Sequence, residues 1–441
     1  MSVAGIAMRE EVTGLLQQLI RIDTVNPPGN ETAAAVLLRD FLEPLGVECE
    51  LLARVPDRAN LVARIPGRDP DAPRLLLLSH TDTVLADPSE WSVDPWSGEL
   101  RDGHVWGRGA LDMKGQVAAN AVAIATLARE GFRPEGDLIF AATADEEVGD
   151  DYGLSWLCSN HPESVRATWC LNEGGGDRIV LAGRPLYLCA TSEKATSPFR
   201  LTIHGRSGHA STPAVADNAL VRAASMIGIL AGLETPVALL PETRRFLAAV
   251  LGRELDDPSD ALRALRAQGA TVSSMVEPML RTTIAPTQLS GSGKLNVIPG
   301  MCEVFCDCRI LPGERQADLD ALVRSALGPE GYELEWFPPN GGSRSSFQTP
   351  LWEAIEAFLR REDPEASPVP VLLPGFTDSH YLRETFGTIA YGFFPARVMS
   401  PELAARLVHS ADERASVDDL ELGARFLVHV ARTLLGGEGE R

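Results

Sequence analysis

At 441 residues the chain exceeds one ordinary hydrophobic core, so at least two domains are expected. Its 44% apolar and 23% charged residues are those of a globular protein, and a net charge of −21 with no basic stripe excludes nucleic acid and anionic membranes as partners. Seven scattered cysteines do not make a disulfide framework, and neither a signal peptide nor a membrane-length apolar run is evident, so a cytoplasmic protein is expected.

In chain order, residues 9–20 and 31–45 carry helical periodicity around the turn Asn26-Pro27-Pro28-Gly29. Apolar runs at Leu75–Ser79, Leu138–Ala144 and Ala167–Leu171 predict strands, and Gln116–Arg129 a helix. This alternation predicts an α/β domain, its mostly parallel sheet covered by helices on both faces. From about residue 195 the texture changes. Phe199–His204 alternates as a half-exposed strand and Asp217–Leu230 reads as a helix. Residues 241–286 read as charged, Ala-rich helices, Lys294–Arg309 as an alternating strand and Tyr332–Phe337 as the last strand. These predict a smaller α+β domain over 195–340, inserted between 1–194 and 341–441, with Pro338–Gly342 as a linker and helices at Leu351–Arg361 and Leu420–Leu435.

The chemistry-bearing residues fall at strand ends. His80-Thr81-Asp82 follows the first apolar run, Asp145-Glu146-Glu147 the second, and Asn172-Glu173 the third. Asp112 sits in the glycine-bracketed turn Gly107–Gly115, and His409 precedes Asp412-Glu413. In a parallel sheet the carboxyl ends of strands gather ligands at one edge. Carboxylates collected there without a cation would repel one another, and mixed His and carboxylate donors suit zinc. Asp82, two residues past His80, points to the same side and can hold the other ring nitrogen. Glu146 and Glu147 diverge from an extended backbone, so one can ligate while the other stays free, and the residues alone do not say which. Neither a nucleophile elbow nor a P-loop competes: Gly291-Ser292-Gly293-Lys294 has Gln288 and Leu295 where that loop needs Gly and Ser or Thr.

The ordered segments SHTDTV, GRGALDMKG, ADEEVG, NEGGG and SGHAS resemble the M20 metallopeptidase family of aminoacylases, glutamate carboxypeptidases, acetylornithine deacetylases and succinyl-diaminopimelate desuccinylases. Arg281-Thr282-Thr283 upstream of Asn-Val-Ile-Pro is most like its carboxypeptidase S branch. The resemblance implies a zinc-exopeptidase fold with a lid and dimerisation domain, a homodimer, and two Zn²⁺ per subunit, with Co²⁺ or Mn²⁺ as substitutes. It implies His80 and Glu173 on one ion, Glu147 and His409 on the other, Asp112 bridging through a cis Asp112–Met113 bond, Glu146 as general base and Asp82 behind His80. It further implies that His209 reaches the neighbouring subunit's site and that Asn296 and Arg309 contact substrate.

One position departs from the pattern: many aminoacylases carry Arg where Thr377-Asp378-Ser379 is followed here by His380, and imidazole cannot reproduce a planar guanidinium fork on a carboxylate. His380 is expected to act as a hydrogen-bond donor to substrate. The remaining His104, His161, His204 and His429 read as structural. Cys302, Cys306 and Cys308 share one strand face and read as packing. The expected activity is cleavage of a small N-acyl amino acid or dipeptide. The alternatives are a biosynthetic deacylase of the acetylornithine or succinyl-diaminopimelate type, and a binding protein without turnover, for which Glu146 would serve no purpose.

Overall fold

The computed structural model describes residues 3–149 and 151–436. It divides into two units. The first comprises the residues up to Thr191, Ser345–Val371 and those from Thr377 on; the second comprises Ser192–Arg344 and the short return Leu372–Phe376.

The first unit is built on a nine-stranded sheet. At its centre lie Leu138–Thr143, Leu75–His80, Trp169–Asn172 and Ile389–Gly392, all mutually parallel. Other strands of this sheet pair antiparallel: Glu48–Ala53 and Ala59–Ile65 on one side, and Arg178–Leu181 and Arg184–Glu193 on the other. Each flanking pair is a hairpin closed by a short connection, which antiparallel strands allow, while crossovers join the central parallel strands. Leu75–His80 and Leu138–Thr143 are buried along their whole length, as strands covered on both faces must be. One face packs on the helices Val3–Ile20, Lys114–Arg129, Pro350–Glu362 and Val417–Leu435, the other on Leu154–Asn160 and Ser379–Phe386. His80 pairs in register with Thr143, and Asn172 with Gly392. The residues that follow therefore emerge together at one sheet edge.

The second unit is a six-stranded sheet centred on Met301–Ile310, with antiparallel pairing to Phe199–His204, Ala195–Thr196 and Thr283–Ser290. Helices Ala219–Ala231 and Gln316–Leu327 cover it through Ala223, Met226, Leu319 and Val323. Three predicted features change. The run Lys294–Arg309, read as one strand, gives the short strand Val297–Ile298, paired with Gly208–His209, and the separate strand Met301–Ile310. Residues 283–286, taken with the preceding helices, open the strand Thr283–Ser290, which slips register around Pro286, so its pattern does not alternate cleanly. The predicted linker contains Asn340–Gly341, which pairs with Ala195–Thr196. Cys302, Cys306 and Cys308 are buried in this core, and all seven cysteines are free thiols. Among the described residues, no helix is long and apolar enough to cross a membrane.

Candidate metal centre

The edge of the parallel strands carries two groups of ligand-type side chains that share one residue. His80, Asp112 and Glu173 form one; Asp112, Glu147 and His409 form the other. Asp112 faces both: its Oδ1 lies 3.1 Å from His80 Nε2 and its Oδ2 3.0 Å from His409 Nε2. His409 Nε2 is also 3.2 Å from Glu147 Oε2, and His80 Nε2 is 3.9 Å from Glu173 Oε2 and 4.0 Å from Glu146 Oε2. The first unit thus brings together five residues placed at strand ends and in the Asp112 turn: His80, Asp112, Glu146, Glu147 and Glu173. His409 joins them from the loop after Pro401–Leu407, at a left-handed φ of 59°. The Asp112–Met113 bond is cis.

The electrostatics of this cluster fit divalent cations. Burial, with Asp112 and Glu147 adding repulsion, pushes Glu173 up to about 8. Burial and the nearby Glu173 likewise hold Glu146 well above the usual carboxylate range. Burial disfavours a charged His80, yet its hydrogen bonds to Asp112 and Asp82 hold it well above an ordinary imidazole. Hydrogen bonds to Asp112 and Glu147 raise His409 to about 10. Such a set repels itself wherever protons do not intervene, and positive charge held among its oxygens removes the conflict. Glu147 Oε1 is buried with no hydrogen-bond partner, a further position that a cation satisfies.

Behind the cluster lies a network of which sequence reasoning named only Asp82. His80 Nδ1 approaches the backbone carbonyl of Asp82 at 3.1 Å and the Asp82 carboxylate at 3.5 Å. That carboxylate also accepts from the backbone N–H groups of Glu146 (3.2 Å) and Glu147 (3.1 Å), tying the two strand ends together. Asn26 Nδ2 donates to Asp82 (2.9 Å) and to Asp145 (2.8 Å). Arg58 donates to Asp145 (2.8 Å) and forks onto Glu31 (2.6 and 2.8 Å). Asp145 needs this grip, for its φ is 68°. Arg58, Glu31, Asp145 and Asp82 are all buried. Arg58→Met is therefore expected to destabilise the protein by about 3–5 kcal/mol, since it strands buried carboxylates. Arg58→Lys should recover part of the loss, and chemical denaturation of both variants checks this. Opposite them, buried Glu413 gathers Arg108 and the backbone of Gly109, Leu111 and Asp112. The available signals were weak: Asn26 sits in an evident turn, and Glu413 lies four residues past His409.

The other predicted residues are not members of these two groups. His380 opens the helix Ser379–Phe386, edge-on to Tyr381, and burial lowers its pKa. Its neighbour Asp378 adds repulsion at Glu146. His209, Asn296 and Arg309 belong to the second unit. His209 is exposed on the short strand Gly208–His209, which pairs with Val297–Ile298, and its Nδ1 lies 2.7 Å from Ser211 Oγ. Asn296 is exposed and accepts from the backbone of Ala210. The Arg309 guanidinium is held by Asp307 (2.8 and 3.0 Å) and Thr196 (2.8 Å). The four histidines read as structural have local contacts: His104 with the Asp102 carbonyl, His161 with the Trp156 ring, His204 with Glu333 and His429 with the Ala354 carbonyl.

Paired His–carboxylate groups at the carboxyl edge of a parallel-centred sheet suit divalent metals, and the family match makes the chain a metal-dependent hydrolase. The chain belongs to peptidase family M20/M25/M40, whose pattern matches residues 76–433. It is 27% identical over 392 residues to the N-fatty-acyl-amino acid synthase/hydrolase PM20D1 of Mus musculus, covering 82% of this chain and 74% of that protein. It is 27% identical to aminoacylase-1 of Sus scrofa, covering 91% and 89%. The fold superposes on the M20 family metallo-carboxypeptidase Sso-CP2 of Sulfolobus solfataricus with a TM-score of 0.73 at 19% identity, covering 96% and 99%.

Proposed function

We propose that the protein hydrolyses the amide bond of a small N-acyl amino acid or dipeptide at a pair of zinc ions, for which Co²⁺ or Mn²⁺ can substitute. The observation that carries this reading is Asp112, whose two oxygens face two separate His–carboxylate groups. His80 and Glu173 would hold one ion, Glu147 and His409 the other, and Asp112 both. When bound, the metal pair would supply Lewis acidity at the scissile carbonyl and lower the pKa of water there. Glu146 takes the proton from that water at its carboxylate and returns it to the amine nitrogen as the C–N bond breaks, leaving a carboxylate and a free amine. Asp82 fixes the ring of His80. In this reading the second unit is a lid and dimer contact, and His209 donates to the carbonyl oxygen of the partner subunit's site. Asn296, Arg309 and His380 would orient the rest of the substrate. The names of the PM20D1 and aminoacylase relatives support an acylated amino acid as the reactant.

The test is a panel of N-acyl amino acids and dipeptides, followed by release of free amine, with the protein as purified, after chelation, and after zinc is restored. Release that stops on chelation and returns with zinc is expected. Turnover that survives complete metal removal, or no turnover on any member, overturns the reading.

A further inference from the structure

Of the chain's 40 basic residues only Lys114, Lys194 and Lys294 are lysines, and the first two are wholly buried. Burying an ammonium is costly unless acceptors meet it, and a compact ammonium suits acceptors that a long planar guanidinium would overreach. Lys114 stands two residues past Asp112 and opens the helix Lys114–Arg129. Its Nζ donates to the backbone carbonyls of Leu19 (3.0 Å) and Ile22 (2.8 Å). We propose that Lys114 is a positioning residue, tying the Asp112 turn to the segment that backs His80 and so setting the spacing of those two ligands. The proposal rests on the metal-centre reading and adds the residue that fixes one of its distances.

Three segments meet at Lys114. The first is the turn itself, where the Lys114 N–H donates to the Gly109 carbonyl (2.7 Å). The second is the end of the helix Val3–Ile20, whose last carbonyls lack helical partners and carry the negative end of its dipole. An ammonium placed there answers both needs. The third is the run that follows Ile22. Thr24 donates to the Thr81 carbonyl (2.7 Å) and accepts from the Thr83 N–H (3.1 Å), and the Asn26 N–H reaches the Thr83 carbonyl (2.9 Å). These bonds fasten residues 24–26 along the stretch just past His80.

The turn also packs directly on that stretch. Gly109 has a φ of 83°, and a β-carbon there would stand 2.6 Å from Thr83 Cγ2 and 3.2 Å from Lys114 Cδ. Gly109 thus lies against both Thr83 and the lysine stem, in space that only glycine fits. Glu413 holds the N–H groups of the same turn and sets its direction; Lys114 sets its distance from His80.

The experiment compares Lys114→Met, which keeps the stem and removes the ammonium, with Lys194→Met. In the second unit Lys194 Nζ donates to the Arg281 carbonyl (2.7 Å), so its variant is a control for the loss of a buried ammonium far from the turn in sequence. Each leaves buried carbonyls without a donor, so both should unfold at lower urea concentration. Only Lys114→Met should weaken Zn²⁺ binding, by about 10- to 100-fold in competition with a chromogenic chelator. It alone should also change the visible absorption of the Co²⁺-loaded protein, which reports the geometry of the ligands. Thr24→Val cuts the same link further along without touching a charge. It should weaken Zn²⁺ binding up to about fivefold, which keeps the test sharp if Lys114→Met misfolds. Zn²⁺ affinity and Co²⁺ absorption unchanged in both Lys114→Met and Thr24→Val overturn the positioning role. Equal weakening by Lys194→Met also overturns it, since lost stability would then account for the effect. If the unaltered protein binds no metal pair, the metal-centre reading has failed, and this one falls with it.

Discussion

Glu146→Gln is expected to lower kcat by about 10²- to 10⁴-fold or more while both metals stay bound. The amide keeps the volume and one acceptor oxygen of the carboxylate, but it cannot take the proton of water. Glu146 Oε2 stands 4.0 Å from His80 Nε2, whereas Glu147 Oε2 lies 3.2 Å from His409 Nε2, so Glu147 sits closer to its ligand-type neighbour. Metal content by elemental analysis and single-turnover rates on the same preparation check the assignment. Loss of one metal equivalent from Glu146→Gln would mean that the two glutamates have exchanged roles. The variant also tests the trans role of His209. Mixed with His209→Ala subunits and allowed to exchange, it should recover activity, because one hybrid site then has an intact base and its neighbour's His209. His209→Ala alone should lower kcat on the order of 10²- to 10³-fold, the usual cost of losing one oxyanion donor. A mixture as inactive as its parts would place His209 outside the partner's site.

Much of this site was legible because parallel strands put their chemistry at one end. The apolar runs ending at His80, Asp145-Glu146-Glu147 and Glu173 are continuous and short, and a buried parallel strand reads that way from residues alone. Asp112 and His409 stand on no strand end, so their place depended on the ordered motifs. Arg58, Asn26 and Glu413 were not legible as positioning residues. Their partners lie far away along the chain, 87 residues for Arg58 and Asp145, and 305 for Arg108 and Glu413. No local period or spacing carries a contact of that range. The second unit's Thr283–Ser290 failed for the opposite reason. Its signal is local, but Pro286 and the slip beside it break the alternation that marks a strand.

Glu413→Ala is expected to cost about 3–5 kcal/mol of stability and to weaken metal binding by about 10- to 100-fold, although Glu413 is not proposed to touch a metal. The Glu413 carboxylate is wholly buried and accepts from four donors at once. Arg108 Nη1 (2.5 Å) and the Gly109 N–H (3.0 Å) reach one oxygen; the Leu111 (2.7 Å) and Asp112 (3.2 Å) N–H groups reach the other. Removing it leaves a guanidinium that is 3% exposed without its counter-ion, and three backbone donors with nothing to bind. It also frees the turn that aims Asp112 at both histidines, so the ligand shared by the two groups loses its fixed direction. Glu413→Gln should rescue little, because its NH₂ would face donors where the second oxygen had accepted. Urea denaturation and competition with a chromogenic chelator measure the two effects separately. Glu402→Ala, at an exposed position on the neighbouring helix Pro401–Leu407, should stay within about 0.5 kcal/mol and serves as the control. If Glu413→Ala matched that control in both stability and metal affinity, the Asp112 turn would have to be held by its own backbone, and Glu413 would have no positioning role.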